Sequence, residues 1–287
     1  MCDQDINPGI IEDWRLSRRA FVGGGAMVAS FASAVAKAAD SVIEKDVTIS
    51  TGDGTSDAAL FYPAGKGSWP AVLVWPDIMG LRPVFRDMGK RLAAMGYVVL
   101  VPNPFYRSAK APVVDGTFDF NNAEARQKLF GYRGAMTDAG IDKDAAAYLA
   151  FLDAQPQTNK KKKAGVQGYC MGGPLSFRTA AAVSNRIGAV GSFHGGGLVT
   201  KDANSPHLLI PKTKAAYLCC VAQNDDARAP TDKDALKAAF AAAGRPATVE
   251  VYPADHGWCV PGSAAYNEAA AEKAWAALTV LYKTNLV

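Results

Sequence analysis

Between Lys163 and Ser176 the chain reads Lys-Ala-Gly-Val-Gln-Gly-Tyr-Cys-Met-Gly-Gly-Pro-Leu-Ser. A short apolar run ends in Gly168-Tyr169-Cys170-Met171-Gly172, and a segment of helical character follows. This order demands a strand, a sharp turn and a helix in immediate succession. A residue at the apex of such a turn sits in strained backbone, and its neighbours must not carry side chains that clash with the turn. The helix that starts just beyond it aims free N–H groups and a positive dipole end at the sulfur, which favours thiolate. A plain tight turn could carry the same spacing, so the partners of Cys170 decide its meaning.

The chain has three histidines, His194, His207 and His256. In nucleophile turns of this kind the partners follow in the order nucleophile, acid, histidine. His256 lies in Tyr252-Pro253-Ala254-Asp255-His256-Gly257-Trp258, a Pro- and Gly-bounded loop after an apolar run near the C-terminus. The acid should then follow a strand between Cys170 and His256. Ala215-Ala216-Tyr217-Leu218-Cys219-Cys220-Val221-Ala222 reads as a buried strand, and Gln223-Asn224-Asp225-Asp226 follows it, so Asp225 or Asp226 is the candidate. A post-strand aspartate is often only a turn residue, and a loop histidine is often only exposed. Three such pieces in the right order, each at a strand end, point to nucleophilic catalysis instead. His194, in Ser192-Phe193-His194-Gly195-Gly196-Gly197, could face the same pocket but is not expected to be catalytic.

From about residue 47 to the C-terminus the chain resembles the dienelactone hydrolase family of cysteine-dependent α/β-hydrolases. The nucleophile block, Ala222-Gln223-Asn224-Asp225, the Tyr252-Pro253-Ala254-Asp255-His256-Gly257 block and the run Ala71-Val72-Leu73-Val74-Trp75-Pro76-Asp77-Ile78-Met79-Gly80-Leu81 carry the similarity. The resemblance favours Asp225 over Asp226. It implies that Asp77, where relatives hold a glutamate, helps remove the thiol proton, and that the backbone N–H groups of Met171 and Ile78 form the oxyanion hole. Arg107 matches one of two arginines that bind a substrate carboxylate, while the position of the second is Val260. Tyr106 and Trp258 are further candidate substrate contacts.

The 287 residues are 49% hydrophobic and 20% charged, with a net charge of +4. That is ample for one domain of ordinary core size, and the charge is too mild and scattered to suggest nucleic-acid binding. There is no Gly-x-Gly-x-x-Gly after the first strand, and the His/Cys spacing offers no metal cluster, so no cofactor and no metal are expected. Ser17-Arg18-Arg19-Ala20-Phe21-Val22 matches a twin-arginine signal and is followed by a weakly apolar, glycine-bearing stretch with small residues at 34–38. That stretch falls short of the ~20 apolar residues of a spanning helix. Residues 1–36 are therefore expected to be an export segment read by the twin-arginine machinery. Residues 37–287 should be a single domain in the periplasm or outside the cell, with no stable membrane insertion after cleavage. Export would expose Cys170, Cys219, Cys220 and Cys259 to an oxidising compartment. Adjacent on a strand, Cys219 and Cys220 should point to opposite faces as small core residues.

Alternating apolar runs and helical segments imply an α/β fold: a doubly wound, mostly parallel sheet with helices on both faces. Strands are expected at 47–50 and 58–62 as a leading hairpin, then at 70–75, 97–102, 164–168, 187–193, 215–222 and 248–252. Helices are expected at 84–95, 141–152, 232–243 behind Thr231, and 263–283 with Ser263 as N-cap. Residues 103–137, with Phe105, Tyr106, Phe118, Phe120, Phe130 and Tyr132, read as a partial lid whose aromatics line an acyl or lactone pocket.

These readings predict a carboxylic ester hydrolase, similar to a carboxymethylenebutenolidase. It would cleave a small-molecule ester or lactone with Cys170, His256 and Asp225 through an acyl-enzyme. A general carboxylesterase or a thioesterase is the close alternative. More distant ones are a non-catalytic binding protein on the same scaffold and a thiol redox protein using Cys170 with Cys259.

Overall fold

Strands that read as unbroken apolar runs must be buried on both faces. Accordingly β3 (Ala71–Trp75), β4 (Val98–Pro102) and β5 (Ala164–Tyr169) are buried along their whole length. The computed structural model describes residues 42–114, 118–119 and 121–287. The expected export segment at 1–36, its boundary at 37, and Phe120 lie outside the described residues. The other strands are β1 (Val42–Thr51), β2 (Gly54–Pro63), β6 (Ile187–Phe193), β7 (Ala216–Ala222) and β8 (Ala247–Tyr252). They form one sheet in the order β1-β2-β4-β3-β5-β6-β7-β8. The leading hairpin pairs antiparallel with itself and with β4, and every other pairing is parallel.

The chain order reverses between β3 and β5, since β4 lies on one side of β3 and β5 on the other. Open parallel sheets form their ligand crevice at such a switch point, at the carboxyl ends of the strands. Asp77 follows β3 and Cys170 follows β5, so both flank it.

Side chains alternate across the sheet. Leu73, Trp75 and Val166 join a core with Tyr148 of α3 (Asp138–Ala154), Leu175 and Phe177 of α4 (Gly172–Ala182) and Leu236 of α6 (Asp232–Ala242). Val72 and Val74 join the opposite core with Phe85 and Leu92 of α1 (Pro83–Ala94) and Leu278 and Tyr282 of α7 (Glu268–Asn285). The adjacent cysteines divide as expected, Cys219 into the first core and Cys220 into the second. Both thiols are free, and burial pushes that of Cys220 up to about 12.

Two elements differ from the sequence reading. The expected lid contains a helix, α2 (Ala123–Gly134), whose N-terminus is capped by Asn122 accepting from Ala125 N–H at 3.0 Å. Only Leu129 of α2 is buried, so no apolar stripe announced it. The last helix begins at Glu268, not at Ser263. The Asn267 N–H is still donated to Trp258 O at 3.1 Å, which folds the chain back until that residue. Asn267 is the cap, its side chain accepting from Ala270 N–H at 3.0 Å, whereas Ser263 Oγ accepts from Ala265 N–H within the preceding turn. Replacing Asn267 with Ala should lower the unfolding free energy by about 1 kcal/mol, measured by urea denaturation, while Ser263→Ala should cost less.

Candidate active site

Cys170 sits between β5 and α4 with φ +52°, a left-handed conformation that few non-glycine residues adopt. Its N–H is donated to Phe193 O at 3.0 Å, and its own carbonyl accepts from Gly173 N–H at 3.1 Å. The turn is tight enough to exclude side chains on either flank. A Cβ on Gly168 would lie 1.9 Å from Gly172 O, and one on Gly172 would lie 2.4 Å from Trp75 O. The second of these approaches brings the end of β3 against the start of α4. Ile78 follows β3 and Met171 precedes α4, so both flank this approach. Among the described residues neither amide donates to a protein acceptor.

His256 is brought in from the loop after β8. Its Nδ1 is 2.6 Å from Asp225 Oδ2, and the Cys170 thiol lies near enough to raise its pKa. Burial acts to lower the His256 pKa, but the hydrogen bonds to Asp225 and Cys170 and the charges of both outweigh it, raising the value to about 10. Asp225 lies in α5 (Gln223–Arg228), and the start of this short helix is tied to the histidine loop. Asn224 Oδ1 accepts the His256 N–H at 2.9 Å, and Gln223 N–H is donated to Ala254 O at 3.0 Å. Asp226, the other candidate acid, is taken by Lys233 at 2.7 Å.

Asp77 is buried after β3, but its carboxylate faces a guanidinium, not the thiol. Arg82 donates to Oδ1 at 2.6 Å and to Oδ2 at 2.8 Å, and Oδ1 also accepts the Met79 N–H at 2.9 Å. Arg82 and His256 line one cavity of about 490 Å³ with Met79, Phe118 and Pro261. That volume suits a small ligand, given that such sites span about 300–1,000 Å³. Of the expected lid aromatics, Phe118 reaches this cavity, while Phe130 is 57% exposed and Phe105 is in the core.

The three candidate substrate contacts lie elsewhere. Arg107 is held by Asp144 at 2.7 Å and Asp53 at 2.8 Å, and Tyr106 hydrogen-bonds to Asp144 and Thr51, so both pin the β1–β2 turn to α3. Neither lines the cavity beside His256. Trp258 is fully buried and stacks on Tyr252 with centroids 4.7 Å apart. Val260, where a second arginine would fall, is likewise core. Sequence reasoning missed Arg82 and Asn224. The first is legible only once Asp77 is known to need a partner, and the second sits inside the block that marks Asp225. Cys259 packs in the core opposite the one that Cys170 borders, which separates the two thiols. Among the described residues no group of three or more His, Cys, Asp or Glu is placed to hold a metal.

A model of the dienelactone hydrolase family matches residues 56–286. The chain belongs to that family. A Synechocystis relative provisionally named a carboxymethylenebutenolidase is 27% identical over 231 residues, covering 79% of this chain and 91% of its own length. A provisionally named dienelactone hydrolase structure from Klebsiella pneumoniae superposes with a TM-score of 0.73 at 22% identity, covering 84% of this chain and 98% of its own. A dienelactone hydrolase-like promiscuous phosphotriesterase from metagenomic libraries superposes with a TM-score of 0.72 at 23% identity, over 86% and 100%. At these identities the two structures establish the α/β-hydrolase fold. Membership of the dienelactone hydrolase family makes this chain a carboxylic ester hydrolase by class.

The raised His256 pKa has a thermodynamic consequence of known sign. A histidine whose pKa is higher folded than unfolded stabilises the fold fully below its unfolded value of 6.5, and the contribution fades as pH rises through about 10. Urea unfolding of wild type and His256→Asn should therefore show the largest difference near pH 6 and a shrinking one toward pH 10. A constant difference would contradict the ion-pair geometry.

Proposed function

We propose that the chain hydrolyses a small ester or lactone by covalent catalysis, with Cys170 as nucleophile. The observation that carries this reading is His256 held at 2.6 Å by Asp225 on one side and acted on by the Cys170 thiol on the other. An imidazole so oriented takes the thiol proton, and the thiolate attacks the substrate carbonyl. The tetrahedral oxyanion is received by the Met171 and Ile78 N–H groups, which have no other acceptor among the described residues. Collapse breaks the C–O bond, and His256 protonates the leaving alkoxide. In a lactone that alkoxide stays attached to the acyl group. His256 then removes a proton from water, which attacks the thioester and releases acid and Cys170.

Asp77 has a different part here from the one its position suggests. With both oxygens on Arg82 and one on the Met79 amide, it shapes the Asp77–Met79 turn that presents the Ile78 amide. Thiol deprotonation falls to His256. Asp77→Asn should reduce kcat by about tenfold through a misplaced oxyanion donor. The rate of Cys170 alkylation by iodoacetamide should stay near wild type. A large loss of alkylation rate would return the proton-accepting role to Asp77.

Hydrolysis of a panel of activated esters, thioesters and lactones, run beside Cys170→Ala, tests the whole reading. The variant should lose at least about a thousandfold in kcat/KM, and mass spectrometry of wild type mixed with a slow ester should show an acyl adduct on Cys170. Activity that survives in Cys170→Ala would end the cysteine mechanism. The preferred panel member separates lactonase, carboxylesterase and thioesterase chemistry.

A further inference from the structure

Behind His256 lies a second imidazole to which the hydrolytic reading gives no task. His194 follows the last residue of β6 with φ +40°, held by its N–H to Cys220 O at 2.8 Å. It is 1% exposed. Its ring meets that of His256 at 62°, with centroids 4.9 Å apart, and Trp258 and Tyr169 enclose it at 6.1 and 6.2 Å. Among the described residues neither ring nitrogen has a hydrogen-bond partner on another residue.

Such burial is costly for a polar ring, and a phenyl group would fill the same space without it. The left-handed backbone would be served equally by asparagine. Only an imidazole combines a ring, tolerance of this backbone and a dipole with a nitrogen lone pair. No neighbour fixes which nitrogen carries the proton, so the tautomer is free to set its lone pair toward a charge on His256.

We propose that His194 is a positioning residue of the hydrolytic reaction, a neutral imidazole that braces His256 and stabilises its protonated form by a charge–dipole contact. Inside the protein such contacts are stronger than in water. Burial and the neighbouring His256 charge hold the His194 pKa down to about 3, so the brace stays neutral while His256 carries the proton. Around His256 the other charged or titratable groups among the described residues include Asp225, with Arg228 3.6 Å behind it, Cys170, the adjacent Asp255, which accepts from Gln223, and Arg82, which lines the same cavity and pairs with Asp77.

The inference rests on the Cys170 hydrolase reading, and its test separates the two. The full chain is labelled with 15N-histidine and titrated by NMR as wild type, His194→Phe and His194→Asn. Wild-type His194 should remain neutral between about pH 5 and 8. In each variant the His256 midpoint should fall by about one unit, a tenfold loss in proton affinity, with a kcat about tenfold lower and an unchanged KM. Phenylalanine keeps the ring and asparagine the backbone, so a merely structural His194 would alter the melting temperature and leave the His256 midpoint in place. An unmoved midpoint in either folded variant overturns the proposal, as does wild-type His194 titrating in that range. If the phenylalanine variant does not fold, the asparagine variant decides by the same readout. Hydrolysis surviving in Cys170→Ala would instead sink the cysteine reading, and the titration would still report on the two rings.

Discussion

The left-handed backbone at Cys170 is the constraint on which the site depends. A non-glycine residue at φ +52° is held only where the surroundings leave no alternative. Here β5 enters the turn from a fully buried strand, α4 leaves it at once, and the Cys170 amide is fixed by Phe193 O in the next strand. The absence of a Cβ at Gly168 and Gly172 lets the chain fold back on itself and on β3. A second approach, of Gly172 to Trp75 O, brings the end of β3 to the helix N-terminus. The nucleophile turn and the loop after β3 thus depend on two close approaches at neighbouring glycines.

Electrostatics is divided around this turn into a matched set. Asp225 and Cys170 raise the proton affinity of His256, while burial lowers that of the adjacent His194. One side chain type is therefore shifted in opposite directions within 4.9 Å, by environment alone. Asp77 pairs with Arg82, which lines the cavity beside His256. A buried carboxylate without that partner would carry a heavy desolvation cost, which explains why Asp77 turns to Arg82 rather than to the sulfur. The shorter aspartate side chain is anchored further by the Met79 amide.

Much of this was legible in the residues. The elbow around Cys170, a post-strand acid at Asp225 or Asp226, His256 after a later strand, the order of strands and helices and the two-faced Cys219–Cys220 pair follow from local spacing or from strand alternation, and the family resemblance favours Asp225. Arg107, Tyr106 and Trp258 do not line the cavity beside His256, because proximity in sequence to a marked block does not say which way a side chain turns. Arg107 found two carboxylates from distant segments, Asp53 and Asp144, and Trp258 found Tyr252 beneath it. The α2 helix was missed because it buries a single leucine and so carries no helical apolar period.

The chain by itself determined what is local. Glycine spacing set the turn that only a strand and a helix can flank, and apolar runs set a parallel sheet buried on both sides. The tertiary structure decided the pairings. It chose Asp225 over Asp226 by giving the latter to Lys233, bound Asp77 to Arg82, and set His194 against His256. Those outcomes depend on distances between segments far apart in sequence, and on burial that converts a small difference in position into a large difference in charge.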